Sequence, residues 1–406
     1  MLPRPRIGMG RPAVAWPTVL AYLDHAADGP VHPVAAAAML PWLTERFGNP
    51  SGAHQVARSA RAAVDEARDV MAEMAGVDPG GITFTSGGTE ADNLAVLGSV
   101  AARPGPIVVS AVEHPAVMEA ALASGQEVRV APVGADGLID EEALERLLDS
   151  SVTVVSVQLA NHETGVVQEL ERIARRVRRR APRALLHTDA VQAARWIDLT
   201  VAAASVDLIS LSGHKMGGPQ GTGVLAWRGR PALRAILHGG RQERELRSGT
   251  QNVAGIVGMA AAAFVARTDQ DAVSSRVRFL RDDLAGRLLA CLPDAIGTAR
   301  CSPRTPGHLH LRLPGIESEA LLVVLDEMGV CASAGAACAS GAMEPSPVLL
   351  AMGVSKQDAL TSLRLTLGPS TTPEEVDLAV SAIPVAVARI GGTAGIGDAA
   401  RLGGTG

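Results

Sequence analysis

Lys215 and Lys356 are the only lysines in a chain that otherwise takes its positive charge from arginine. Lys215 stands in Ser212-Gly213-His214-Lys215, directly after the apolar run 206–211. An amine at the end of a strand points to chemistry that guanidinium cannot do, above all a Schiff base with a carbonyl compound. Lys356 has no comparable surroundings and reads as a surface residue. Ser86-Gly87-Gly88-Thr89 lies between an apolar run and a helical pattern. Free backbone N–H groups and the Thr89 hydroxyl would there meet an anion at the positive end of a helix. Asp189 closes the apolar stretch 184–187 and could be a plain helix cap. Beside a Schiff-base lysine, its carboxylate has a sharper use: keeping the ring nitrogen of pyridoxal phosphate protonated, so that the ring withdraws electrons.

These residues need elements to position them. Short β-branched runs alternate with helical patterns from about 59 to 237, the signature of a parallel sheet with crossover helices. The runs are 82–85, 107–110, 127–131, 152–159, 184–187, 206–211 and 223–227, with helices predicted over 53–74, 90–101, 116–123, 141–148 and 170–179. In an open parallel sheet, ligands bind beyond the carboxyl ends of the strands. Thr85 to Glu90, Glu113-His114, Asn161-His162-Glu163, Asp189 and Ser212 to Lys215 occupy five such ends. Further along, a helix over 274–292, strands 308–313 and 331–333, and helices 319–328 and 373–388 describe a smaller α+β domain. The expected organisation is an N-terminal segment 1–30 joining the small domain, a large domain 31–262, a small domain 263–390 and a disordered tail 391–406.

Composition narrows the classes. The chain has 406 residues, 47% of them apolar and 19% charged, which suits a globular protein with a large core and two domains. A net charge of −5 argues against a nucleic-acid surface, and the basic run Arg175 to Arg180 reads as a solvated helix face. Cys291, Cys301, Cys331 and Cys338 have no metal or disulfide spacing, so reduced thiols and a cytoplasmic setting are expected, with no metal. Residues 1–17 lack an apolar signal core, and the most apolar stretch, 253–265, is too short to cross a membrane.

Taken in order, these pieces strongly resemble the cysteine desulfurase branch of the class V, fold-type I pyridoxal-phosphate enzymes. The resemblance runs through Tyr22-Leu23-Asp24, Phe47-Gly48-Asn49-Pro50-Ser51, Phe84 to Asn93, Glu113-His114, Glu163 to Gln168, Asp189 with Gln192, Ser212 to Lys215, Arg247-Ser248-Gly249-Thr250, Gly335-Ala336-Ala337-Cys338 and Arg364 to Gly368. It implies an α/β fold with a mostly parallel seven-stranded sheet, a smaller α+β domain, pyridoxal phosphate, L-cysteine as substrate and a homodimer. Lys215 would carry the cofactor, His114 would stack on its ring, Asp189 would pair with its ring nitrogen and Gln192 with its phenolic oxygen. Gly88, Thr89, Ser212 and His214 would hold the phosphate, joined by Thr250 from the other subunit. Arg364, with Asn49, would take the substrate carboxylate.

Cys338 decides the branch. The small residues from Ala332 to Gly341 predict a mobile loop, on which a thiol could travel between the site and a sulfur-acceptor protein; Cys291 and Cys301 read as buried structural cysteines. The resemblance implies that Lys215 removes the substrate Cα proton and that Cys338 takes the sulfur as a persulfide, leaving alanine, with His114 assisting at the thiol. The chain departs from the pattern in three places. His162 replaces an asparagine, leaving the contact to the phenolic oxygen to the imidazole or to Asn161; Asp28-Gly29 replaces a threonine pair; and Ala336 replaces a serine. A selenocysteine lyase or another class V lyase or aminotransferase is the enzymatic alternative, and a sulfur-relay scaffold the non-enzymatic one.

Overall fold

The computed structural model describes residues 20–335 and 344–402, from 392 onward as backbone alone. The chain enters on β1 (Ala21–Tyr22), followed by α1 (Pro33–Thr44) and α2 (Gln55–Ala75). Alternation then begins: β2 (Ile82–Thr85), α3 (Gly88–Ala102), β3 (Ile107–Ser110), α4 (Pro115–Ala123), β4 (Val128–Ala131), α5 (Glu141–Leu147), β5 (Val154–Ser156), α6 (Leu170–Arg180), β6 (Leu185–Asp189), α7 (Leu199–Ala202), β7 (Leu208–Ser212) and β8 (Gly223–Trp227). All seven runs expected as strands join one sheet, in the order β2-β8-β7-β6-β5-β3-β4. Only β8 runs against its neighbours. The strands β3, β5 and β7 are buried at every position, which is why they read as continuous apolar runs rather than alternating ones.

Helix α2 shows how the flanking layer is specified. Ala57, Ala60, Val64, Ala67, Met71 and Ala75 form its buried stripe at three- and four-residue spacing. His54 caps its start by accepting from the Ala57 N–H at 3.2 Å, and Gly76, at φ 63°, ends it in a left-handed turn. The arginines of α6 lie on the solvated face that the sequence suggests and are paired along it: Arg176 reaches Glu141 and Glu145, and Arg178 reaches Asp207.

After α8 (Val253–Thr268) and α9 (Gln270–Cys291), β9 (Ile296–Gly297), β10 (His308–Arg312), α10 (Ser318–Glu327), β11 (Val330–Cys331), α11 (Pro347–Ala351), α12 (Lys356–Ala359), β12 (Ser362–Thr366) and α13 (Pro373–Leu402) complete the chain. An antiparallel sheet β12-β10-β9 packs with α9, α10 and α13, while β1 pairs in parallel with β11. Ala21 and Leu23 are buried in one cluster with Leu284, Leu309, Leu325, Leu363 and Ile383. Each such leucine removed from water contributes about 2 kcal/mol, so the start of the chain is held by the strands and helices near its end.

The described backbone of α13 runs to Leu402. Helix α13 is already nucleated and packed through Val376, Ala379, Ile383 and Ala386, and adding residues to an existing helix costs far less than starting one. Cys291 and Cys301 are exposed rather than buried, the first in the last turn of α9 and the second in the turn after β9. Cys338, on which the branch assignment rests, lies outside the described residues, as do Ala336 and 403–406.

Candidate active site

The anion end forms where β2 hands over to α3. Gly87, the N-cap of α3, supplies no side-chain cap, so the first N–H groups of the helix are open to a ligand. A Cβ at Gly88 would come within 2.8 Å of Val191 Cγ2, so only glycine lets the turn close against the β6 end. A cavity of about 380 Å³ opens here, lined by Asp28, Gly88, Thr89, Ser212, His214 and Gln220. Ser212 Oγ lies 2.8 Å from His214 Nδ1, which orients both toward it. Glu90 ties the turn down, accepting from Ser86 N at 2.8 Å and from Arg247 Nε at 2.9 Å. Burial works against its ionisation, but those hydrogen bonds hold its carboxyl below the usual range. Asp28, at the departure near the chain start, stands in the lining with its carboxylate bound by Gln220.

The central group gathers at the ends of the adjacent strands β6 and β7. Asp189 ends β6, is buried, and accepts from Val191 N at 2.8 Å. Burial pushes its carboxyl up, opposed by His114 and Lys215. His114 is the N-cap of α4; its Nδ1 accepts from Ala116 N at 3.1 Å, which assigns the ring proton to Nε2 in the neutral form. Lys215 follows β7, and its Nζ donates to the carbonyls of Ala26, at 2.5 Å, and Ala27. Burial, with help from Arg364, pulls the amine down to about 8. Gln192 Nε2 shares the Ala26 carbonyl at 2.8 Å.

The third group links the strand β12 of one sheet to the turn after β5 of the other. Arg364 on β12 donates to the His162 carbonyl at 3.0 Å and to Asp24 Oδ1 at 2.8 Å, while its Nε is buried without a partner. The His162 ring meets His114 edge-on, centroids 5.0 Å apart, and burial pushes its pKa well down. Asn161 does not share the site: its Oδ1 accepts from Glu163 N, Thr164 N and Thr164 Oγ1, and its amide donates to Val112 O, so it builds the turn. Asn49 is exposed and caps Ser51 N at 3.0 Å, and Thr250 is exposed on the same chain; neither lines the cavity. A larger cavity, about 490 Å³, lies on the other side of Lys215. Lys215, His214 and Gln192 line it and its Arg195 is already paired with Asp269 at 2.8 Å, whereas Gly88, Thr89 and Ser212 line the smaller one, with His214 bordering both.

Sequence reasoning missed several members. Asp92 lies beneath Asp189, and its one signal is a charged residue on the buried stripe of α3 with Gly88, Ala91 and Ala95. Glu163, buried, accepts from Ser346 Oγ at 2.6 Å, and a Cβ at Gly335 would lie 3.2 Å from its Oε2. Both flanks of the segment that carries Cys338 therefore meet one carboxyl group. The carbonyls of Ala26 and Ala27 carry no sequence signal at all.

Open helix N–H groups, a polar cradle that a Cβ at Gly88 would fill, a buried carboxylate and a lysine of lowered pKa together fit a phosphorylated, electron-withdrawing ring cofactor. The aminotransferase class-V family model matches residues 21–379. The chain is 40% identical over 383 residues to an IscS-like cysteine desulfurase of Mycobacterium tuberculosis, covering 91% of this chain and 97% of that protein. It is 38% identical to the cysteine desulfurase NifS of Azotobacter vinelandii, over 91% and 93% of the two chains. Among solved structures, a NifS-like protein superposes with a TM-score of 0.84 at 32% identity, over 91% of this chain and all of that one.

Proposed function

Because the chain belongs to the class V aminotransferase family, we propose that it is a pyridoxal-phosphate-dependent cysteine desulfurase, converting L-cysteine to L-alanine and passing the sulfur on as a persulfide at Cys338. The observation that carries this reading is the neighbouring placement of Asp189 and Lys215 at the ends of β6 and β7, beside the open start of α3. Gly88, Thr89, Ser212 and His214 would hold the cofactor phosphate, Asp189 its ring nitrogen and His114 one face of its ring. When bound, pyridoxal phosphate supplies an electron sink for the substrate's Cα.

The chain's own residues do the rest. Arg364 offers its buried Nε edge to the substrate carboxylate. Lys215, with its amine at about 8, has a neutral fraction near physiological pH and takes the Cα proton. The Cys338 thiolate attacks the substrate sulfur: an S–S bond forms as the Cβ–S bond breaks, and the bond pair stays with the carbon side, which takes up protons and leaves as alanine. His114, whose Nδ1 accepts from Ala116 N, would exchange a proton with the substrate thiol through Nε2. The persulfide then goes to an acceptor protein.

A homodimer completes the site in this reading, with Thr250 contributed across the interface. Exposed Val34, Leu40, Leu43 and Phe47, on α1 and the loop after it, support such a contact. Among the described residues no helix is long and apolar enough to cross a membrane, and the free thiols of Cys291, Cys301 and Cys331 support a reducing, cytoplasmic setting. The test is direct. Protein reconstituted with pyridoxal phosphate should release alanine and, with a thiol reductant, sulfide from L-cysteine. Release from selenocysteine alone would overturn the reading.

A further inference from the structure

Below the site lies a set of buried polar groups that the chemistry above does not use. Asp92 on α3 is 1% exposed, Glu113 before α4 is 5% and Asp189 is 7%, so three carboxyl groups share one desolvated region. A carboxylate oxygen of Asp92, a ring nitrogen of His114 and a carboxylate oxygen of Asp189 all lie within 4.8 Å of one another. Like charges at that spacing in a buried pocket cannot all be present.

The surroundings decide which group keeps the charge. Asp189 faces Lys215 and His114 and accepts the Val191 N–H. Glu113 accepts from Gln158 N at 2.7 Å, and burial pushes its carboxyl up to about 8. The basic group nearest Asp92 is His187, whose Nε2 is 3.6 Å from Asp92 Oδ1. That ring offers no positive charge: burial pulls it to about 3, and its two nitrogens are taken by Ser156 Oγ and Ser210 Oγ, each at 2.9 Å. Asp92 therefore stands against a neutral imidazole, a serine and the charge of Asp189. Burial first, then Asp189, raises its carboxyl well above the usual range. Its Oδ1 is fully buried and has no hydrogen-bond partner.

We propose that Asp92 is a positioning residue: a buried carboxylic acid that keeps its proton at neutral pH and donates it toward Asp189, holding Asp189 ionised and aimed at the cofactor's ring nitrogen. The inference rests on the reading of Asp189 given above. A neutral donor behind the carboxylate lowers the cost of its charge, whereas a second charge there would expel it. Asparagine keeps the shape and the N–H donor, so Asp92→Asn should preserve the effect; alanine removes it.

The experiment is calorimetric titration of the apoprotein with pyridoxal phosphate from pH 6 to 9, which reads affinity without turnover. Relative to the parent, Asp92→Asn should bind within about threefold, and Asp92→Ala about tenfold or more weakly at pH 7, with the deficit shrinking toward pH 9. Infrared difference spectra of parent and Asp92→Asn apoproteins at pH 7 should show one protonated carboxyl band lost. This second measurement does not depend on whether the alanine variant folds. Parent-like binding by Asp92→Ala, equal loss in Asp92→Asn and Asp92→Ala, or no change in the carboxyl band overturns the proposal. Asp189→Asn separates the two levels: parent-like binding there overturns the Asp189 reading as well, whereas a loss there with none in Asp92→Ala overturns this inference alone.

Discussion

Arg364 Nη2 lies 2.8 Å from Asp24 Oδ1, joining a strand near the end of the chain to the first described turn of its beginning. With Nη1 on the His162 carbonyl, two edges of the guanidinium are committed and the Nε side is left for a carboxylate. Lysine has no fork with which to make all three contacts. Arg364→Lys should raise KM for L-cysteine about 10- to 100-fold, with the cofactor absorbance unchanged. Steady-state kinetics check this, and an unaltered KM would remove Arg364 from the substrate site.

Cofactor uptake should report the lowered pKa of Lys215. The amine attacks an aldehyde only when neutral, and its pKa is pulled from 10.5 to about 8. The rate at which apoprotein takes up pyridoxal phosphate should therefore rise with pH and level off just above 8. A rate still climbing steeply at pH 10 would contradict the buried setting of the amine.

Replacing Cys338 by serine should leave cofactor binding intact and abolish persulfide formation. Alanine release from L-cysteine should fall roughly 1000-fold or more, as for other lost nucleophiles. Selenocysteine, whose selenium can leave without a thiol acceptor, should be less affected. Unchanged persulfide labelling would sink the role of Cys338.

Acid should destabilise the apoprotein through its buried imidazoles. His187, His308 and His310 are each pulled by burial to about 3, against an ordinary value of 6.5. Between those values the unfolded chain binds more protons, so stability falls as pH drops below about 6.5. Glu113 acts in reverse: raised from 4.5 to about 8, it loses its contribution as pH rises through that window. Melting curves should thus show the parent losing stability from pH 6.5 to 4.5, and Glu113→Gln melting higher than the parent at pH 8 but not at pH 4.5. A flat parent profile in acid would contradict neutral buried histidines.

Association should depend on the apolar surface of α1 and the loop after it. Leu43 and Phe47 are 65% and 76% exposed on the single chain. Leu43→Asp with Phe47→Ser should yield a monomer by light scattering that binds pyridoxal phosphate more weakly, because Thr250 no longer reaches it. A dimer that persists would move the interface elsewhere.

The sheet and the ends of its strands were legible because both depend on local pattern. Continuous apolar runs mark buried parallel strands, and polar residues directly after them mark the ligand edge. The supporting groups were not legible. Asp92 reaches Asp189 only because α3 packs beside β6, and Lys215 meets the Ala26 carbonyl across 189 residues of sequence. Asn161 misled for the same reason: its type suits a ligand contact equally well, and only the turn it closes shows where its amide is used. The buried reading of Cys291 and Cys301 rests on the average for the residue type, which says nothing about a particular helix end or turn.

The pairing of β1 with β11 sets Ala21 against Val330 and Tyr22 against Cys331, and Tyr22 N donates to Glu375 Oε1 on α13. Synthesis delivers the first of these partners long before the second. The sheet β2 to β8 and helix α8 can assemble as soon as about 270 residues have emerged, since their contacts lie within that span. The opening strand must wait, unpaired, for another 60 or so residues, and the Asp24–Arg364 contact for still longer. Completion of the substrate site is thereby deferred until nearly the whole polypeptide has left the ribosome, and a prematurely terminated chain would hold the cofactor cradle without the arginine that admits a substrate.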